Sequence, residues 1–111
     1  MSLLAYKVHP GSGPALLLVH GFLSGPGQWH GNLTALGEVC QPVTVSLLGH
    51  GESPSPSSAL AYQPEAYVGY FDEIRQEVGA EKLLLCGYSF GAGLTYRYVL
   101  AHPERVHAPK E

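Results

Sequence analysis

Ser89 is flanked by two glycines in the run Gly87-Tyr88-Ser89-Phe90-Gly91, directly after the apolar stretch Leu83-Leu84-Leu85-Cys86. A serine hydroxyl acts as a nucleophile when it is presented clear of its own backbone and a base can take its proton. The Gly-x-Ser-x-Gly spacing meets the first condition if a strand turns sharply into a helix with the serine at the bend. Gly87 and Gly91 leave room where side chains would collide, and glycine accepts unusual backbone angles at little steric cost. Ala92 and Gly93 prolong the small surface, which predicts that the helix lies close to the strand before it. Ser89 is therefore the candidate nucleophile. The plainer account, a glycine-rich turn that merely joins two elements, is opposed by the order strand, turn, helix around the serine.

Acyl transfer through serine also needs N–H donors for the oxyanion that develops. The backbone amide of Phe90, next after Ser89, is one candidate. The other comes from the glycine-rich loop His20-Gly21-Phe22-Leu23-Ser24-Gly25-Pro26-Gly27, where the Phe22 amide is preferred and Leu23 is the alternative. His20 and His50 belong to the same rim. A histidine beside a glycine in such a loop more often fixes the loop by hydrogen bonding than accepts a proton from serine. His9, His30, His102 and His107 read as surface or helix-end residues. Asp72, the only aspartate, and Glu73 read as the solvated side of a helix, and Trp29 and the tyrosines as packing. Neither a phosphate-cradling nor a dinucleotide-binding glycine motif is present, and the spacing of Cys40 and Cys86 makes neither a zinc site nor a disulfide framework. No cofactor and no metal are expected.

The elements that must carry these residues emerge from apolar patterning. Leu3 to Val8 suits a short strand, and the continuous run Ala15 to Val19 suits a parallel strand covered on both faces. A helix with Trp29, Leu33 and Leu36 at helical spacing comes next, then a strand from Val43 to Leu48. Gly49 to Ser58 is rich in glycine, serine and proline and reads as loop. A helix opens near Pro64, with Ala66, Tyr67, Tyr70, Phe71, Ile74 and Val78 on its apolar face and Gly79 as its stop. The strand Lys82 to Tyr88 leads into the Ser89 bend, and the helix after it places Phe90, Leu94, Tyr98 and Ala101 on one stripe. Alternating strands and helices make an α/β fold with a parallel sheet. Ligands gather beyond the carboxyl ends of such strands, where the loops His20–Gly27, Gly49–Ser53 and the Ser89 bend meet.

The whole chain is 111 residues with a net charge of −3 and 45% hydrophobic residues, enough for one modest domain. Its acidic balance and lack of basic runs argue against nucleic acid as a partner, and no stretch is long and apolar enough to span a membrane. The first ten residues lack the features of a signal peptide, so a cytoplasmic setting is the default. Cys86 reads as a small buried hydrophobe.

Four motifs in register resemble the α/β-hydrolase superfamily. They are Leu18-Val19-His20-Gly21-Phe22, Trp29 opening a helix, Leu48-Gly49-His50-Gly51-Glu52-Ser53, and Gly87-Tyr88-Ser89-Phe90-Gly91. The run Ala101-His102-Pro103-Glu104-Arg105-Val106 is also typical of the superfamily. Within it, His20-Gly21-Phe22-Leu23 followed by Trp29 is most similar to the succinyl-hydroxy-cyclohexadiene-carboxylate synthase group of menaquinone biosynthesis. Ser46 and Leu48 depart from the Asp and Pro that the family usually has there. The resemblance implies a serine hydrolase acting on a small acyl substrate (an ester, thioester or related carbonyl compound), or a C–C lyase of the same fold. It also implies an acid and a histidine later than the serine. Residues 1–111 then read as the amino-terminal portion of a single α/β-hydrolase domain, truncated after the helix that carries Phe90. Loss of the histidine alone costs about 10⁶ in turnover, so the chain by itself is expected to be inactive. The competing reading is a non-catalytic isoform or interaction module. Its strand Leu83–Cys86 would expose an unpaired edge through which copies could associate.

Overall fold

A computed structural model describes residues 2–107. Its centre is β2 (Ala15–Val19), every residue of which is buried. An unbroken apolar run is stable as a strand only when both of its faces are covered. Parallel partners flank β2 on each side, β3 (Gln41–Val45) and β4 (Leu84–Gly87). β1 (Tyr6–Val8) adds to the outer edge of β3, so the order is β1-β3-β2-β4. β1 runs antiparallel, with Tyr6 opposite Val45. The sheet is therefore mixed rather than wholly parallel, because only the links after β2 and β3 are long enough for crossovers.

One face of the sheet carries the larger core. Leu17, Val19, Val43 and Val45 pack against Tyr67, Phe71 and Ile74 of α2 (Pro64–Glu77) and Leu94 and Tyr98 of α3 (Phe90–Ala101). α2 opens on Pro64 and is stopped by Gly79 at φ 76°, the left-handed conformation glycine adopts without penalty. Leu16, Leu18 and Cys40 on the other face are covered by Trp29, Leu33 and Leu36. The helix expected there is mostly a 3-10 turn, Pro26–Asn32, with only Leu33–Leu36 as α1. Glycines at 25, 27 and 31 leave too little helix propensity for a longer one.

Several expected boundaries shift. β3 ends at Val45, and Ser46, Leu47 and Leu48 continue as buried backbone outside the ladder. The buried stripe of α3 is Gly91, Leu94, Thr95 and Tyr98, while Phe90 and Ala101 are exposed. Cys86 is exposed rather than buried. It shares a face with Leu84 on β4, an edge strand of the sheet. The outer edge of β4 is also not bare throughout. Leu83 N–H donates to Arg105 O at 2.8 Å and His107 N–H donates to Leu83 O at 3.0 Å, pairing Leu83 with Val106. Among the described residues, the unpaired edge starts at Leu84.

Asp72 does not lie on a solvated face. It is 9% exposed and accepts hydrogen bonds from Tyr98 Oη (2.7 Å), Arg75 Nε (2.7 Å), Gln76 Nε2 (3.1 Å) and Arg105 Nη1 (2.9 Å). The carboxylate thus ties α2 to α3 and to the segment that bridges β4. Burial raises its pKa, but the hydrogen bonds from Arg75 and Tyr98 and the charges of Arg75 and Arg105 outweigh burial and hold it far below the carboxylate range. A group whose pKa falls on folding stabilises the fold above its unfolded value, about 4, and loses that contribution as pH drops below it. Asp72→Asn is expected to lower stability at pH 7 by about 3 kcal/mol, since it leaves the half-buried Arg75 guanidinium without its counter-charge and Arg105 with Glu104 alone. Urea midpoints of the two proteins should converge as pH falls from 4 towards 2; parallel curves would show that the carboxylate charge contributes nothing.

Candidate active site

β4 ends at Gly87, α3 starts at Phe90, and only Tyr88 and Ser89 connect them. Ser89 takes φ 55°, ψ −115°, a conformation that costs a non-glycine residue about 1–3 kcal/mol. The surroundings enforce it. Tyr88 N–H donates to Val19 O at 3.0 Å and Gly91 N–H donates to Tyr88 O at 2.9 Å, so the turn is held against the end of β2. A Cβ on Gly87 would collide with Gly91 O, and one on Gly91 would collide with Val19 O. Both glycines are therefore steric necessities. Gly93 is not, since a Cβ there would meet nothing within 4 Å. The close approach expected of Ala92 and Gly93 is made by Gly91 and by the Ala92 backbone against Gly87, and not by Gly93.

The loop after β2 comes up beside this bend. Phe22 meets the Phe90 ring edge-on at 6.0 Å and the His50 ring at 5.6 Å. Phe22 is 66% exposed and Phe90 40%, and Tyr88 and Leu23 are exposed beside them, so the rim of Ser89 is apolar. Ser89 itself is exposed. The Phe90 amide belongs to the first turn of α3, where N–H groups have no intrahelical acceptor. The Phe22 amide has no acceptor among the described residues, whereas Leu23 N–H donates to His50 Nε2 at 2.9 Å. Of the two amides considered for that loop, Leu23's is already committed.

Neither rim histidine is free to act on Ser89. His20 is wholly buried; its Nδ1 lies 2.8 Å from Gly21 O and its Nε2 accepts from Leu47 N–H at 3.1 Å. Burial lowers its pKa, the Gly21 bond opposes this, and the nearby His50 adds to the lowering. His50 Nδ1 lies 3.0 Å from Leu48 O, and its Nε2 holds Leu23. The expectation that both fix loops describes what they do. Their partners on the opposite loop carry no signature in the sequence, because backbone N–H groups are common to every residue but proline.

Ser46 and Leu48, the two departures from the family pattern, sit in the loop after β3. Ser53 Oγ donates to Ser46 O at 2.6 Å and accepts from Ala5 N–H at 2.8 Å, closing that loop onto the chain before β1. Gly51 at φ 51° passes so near that a Cβ would strike Ser46 Oγ. Trp29 packs against the cluster of Leu16, Leu18 and Cys40, its indole N–H buried without an acceptor among the described residues. A cavity of about 500 Å³ lies away from Ser89, lined by Lys7, His9, His30 and Ser46 among others.

The strand, bend and helix around Ser89 have counterparts in known proteins. Residues 14–108 match the model of the alpha/beta hydrolase fold family. The chain belongs to that family. An epoxide hydrolase of Siraitia grosvenorii is 33% identical over 99 residues, covering 88% of this chain and 31% of that protein. A Bacillus subtilis (strain 168) protein named for 2-succinyl-6-hydroxy-2,4-cyclohexadiene-1-carboxylate synthase activity is 31% identical over 102 residues, covering 89% and 36%. Among solved structures, a mutant epoxide hydrolase of Vigna radiata superposes with a TM-score of 0.85 at 24% identity, covering 95% of this chain and 37% of that one. A marine microorganism esterase gives 0.86 at 22% identity, covering 96% and 40%. The chain thus spans about a third of the length of the proteins it matches. Among the described residues, no helix is long and apolar enough to cross a membrane.

The two glycines of α3 should respond oppositely to one methyl group. Gly91→Ala is expected to destabilise the fold by about 1–3 kcal/mol through overpacking against β2. Gly93→Ala should stabilise it by about 0.5–1 kcal/mol, through helix propensity alone. Equal thermal midpoints for both variants would contradict the close approach of α3 to β2.

Proposed function

We propose that this chain is the nucleophile-bearing portion of a serine hydrolase, with Ser89 attacking an ester or thioester carbonyl and the Phe22 and Phe90 amides receiving the oxyanion. The observation that carries this reading is the strained, exposed Ser89 at φ 55°, a conformation that persists only where the surroundings over-determine it. The apolar rim of Phe22, Leu23, Tyr88 and Phe90 supports an uncharged acyl group as the substrate moiety. No lysine or arginine occurs in the three loops that surround Ser89. The relatives bear the names of different reactions, which is why the substrate is argued from the rim.

The chain alone is inactive on this reading. His20 and His50 have both ring nitrogens engaged, so a base must come from elsewhere, with an acid to orient it. The free thiols Cys40 and Cys86 fit a reducing, cytoplasmic setting. A fluorophosphonate probe read by mass at Ser89 tests both parts, with Ser89→Ala as control. The isolated chain should label at least about 10³-fold more slowly than a complete serine hydrolase. A longer polypeptide supplying the acid and histidine should restore labelling at Ser89. Fast labelling of the isolated chain would refute inactivity, and labelling of another residue in the restored protein would refute the nucleophile.

A second reading is favoured by the edge of β4. From Leu84 to Gly87 its outer backbone groups have no strand partner among the described residues, and Leu84 and Cys86 face away from the larger core. Such an edge templates pairing with another chain, so the isolated protein should self-associate through it. Sedimentation should show dimers or larger species at micromolar concentration, and a proline at position 85 should shift the population towards monomer. A monomer at all concentrations would dismiss this reading.

A further inference from the structure

The loops after β2 and β3 are laced to each other in both directions. His20, after β2, accepts a hydrogen bond from Leu47 N–H after β3; His50, after β3, accepts one from Leu23 N–H after β2. In each ring the accepting atom is Nε2, and Nδ1 faces a carbonyl, Gly21 O for His20 and Leu48 O for His50. A carbonyl can only accept and an amide can only donate. Both rings are therefore neutral and carry their proton on Nδ1. Their centroids are 5.0 Å apart.

The consequence falls on Phe22. Its N–H shares a planar trans peptide with Gly21 C=O, so the two point in opposite directions and one cannot turn without the other. Gly21 O is bonded to His20 Nδ1 at 2.8 Å and accepts from Ser24 N–H at 3.1 Å. The next peptide plane, Phe22–Leu23, is held through Leu23 N–H by His50 at 2.9 Å. Packing holds the Phe22 ring against Phe90 and His50 but does little for Leu23, which is 83% exposed and sits at the unfavourable φ of 63°. We propose that His20 and His50 are positioning residues for the oxyanion-binding amide, clamping the peptides on either side of Phe22 so that its N–H is aimed before substrate arrives. This rests on the reading of Ser89 as nucleophile. It adds that the tautomers of two histidines, neither of which exchanges a proton with substrate, help to fix where the donor points, together with the Ser24 amide on Gly21 O and Gln28 on Gly21 N–H. Preorganised donors of this kind act because they need no reorientation during the reaction.

The test is made by NMR on the chain itself and does not depend on Ser89 reacting. Long-range ¹H–¹⁵N spectra should show Nδ1–H tautomers for both His20 and His50. The Phe22 N–H dipolar coupling in a weakly aligned medium should match the orientation fixed by the Gly21 carbonyl. His20 is buried and its variants risk misfolding, so the informative pair is at His50. In His50→Leu, the Leu23 amide should exchange with solvent at least about 10-fold faster and the Phe22 coupling should shrink through averaging. His50→Gln keeps an acceptor oxygen and should restore most of both. An Nε2–H tautomer at His50, or Leu23 exchange and Phe22 coupling unchanged in His50→Leu, would overturn the proposal. Failure of Ser89 to label in the restored protein would instead remove the reading beneath it and leave these spectra as they are.

Discussion

The first turn of α3 is pressed onto the carbonyl end of β2. The missing Cβ of Gly91 is what lets Val19 O and His20 O come so near, and the hydrogen bond from Tyr88 N–H to Val19 O fixes the height at which the chain turns. Given those two constraints, only Tyr88 and Ser89 remain to reverse the backbone, and the positive φ at Ser89 is the geometric remainder. The strain is sustained because sheet and helix packing on either side involves Leu17, Val19, Leu94 and Tyr98, all essentially buried. A folded core of that kind offers far more stabilisation than one strained residue removes.

The same β2 terminus launches the His20 loop, so the serine and the Phe22 amide are built on one rigid support. On the proposed reading of Phe22, rigid support matters because donors for a developing charge are useful only when already oriented. The aromatic contacts of Phe22 with Phe90 and His50 bring the three loops to a common rim. They also make that rim apolar, which is the basis for reading an uncharged acyl group as the moiety received.

Asp72 extends the same logic to the far side of α3. By gathering Tyr98, Arg75, Gln76 and Arg105 it joins α2, α3 and the segment that bridges to β4 at Leu83. A carboxylate at such a place is tolerable only because each oxygen is met by charged or hydroxyl donors. It is thus a structural hub at one end of the helix whose other end carries Ser89.

Much was legible in the residues alone. The β2 run, α2 with its Pro64 start and Gly79 stop, and the bend at Ser89 are local signals, each set by apolar periodicity or by backbone freedom within a few positions. These were enough to recognise the family. What the tertiary structure alone decided was every relation that depends on a partner distant in sequence. It buried Asp72 against Arg105, exposed Cys86, turned β1 antiparallel, and matched each rim histidine to an amide on the opposite loop. The physical reason is common to all four. A side chain's burial and hydrogen-bond partners are properties of what packs against it, and a linear pattern carries the periodicity of its own element but not the identity of its neighbour's.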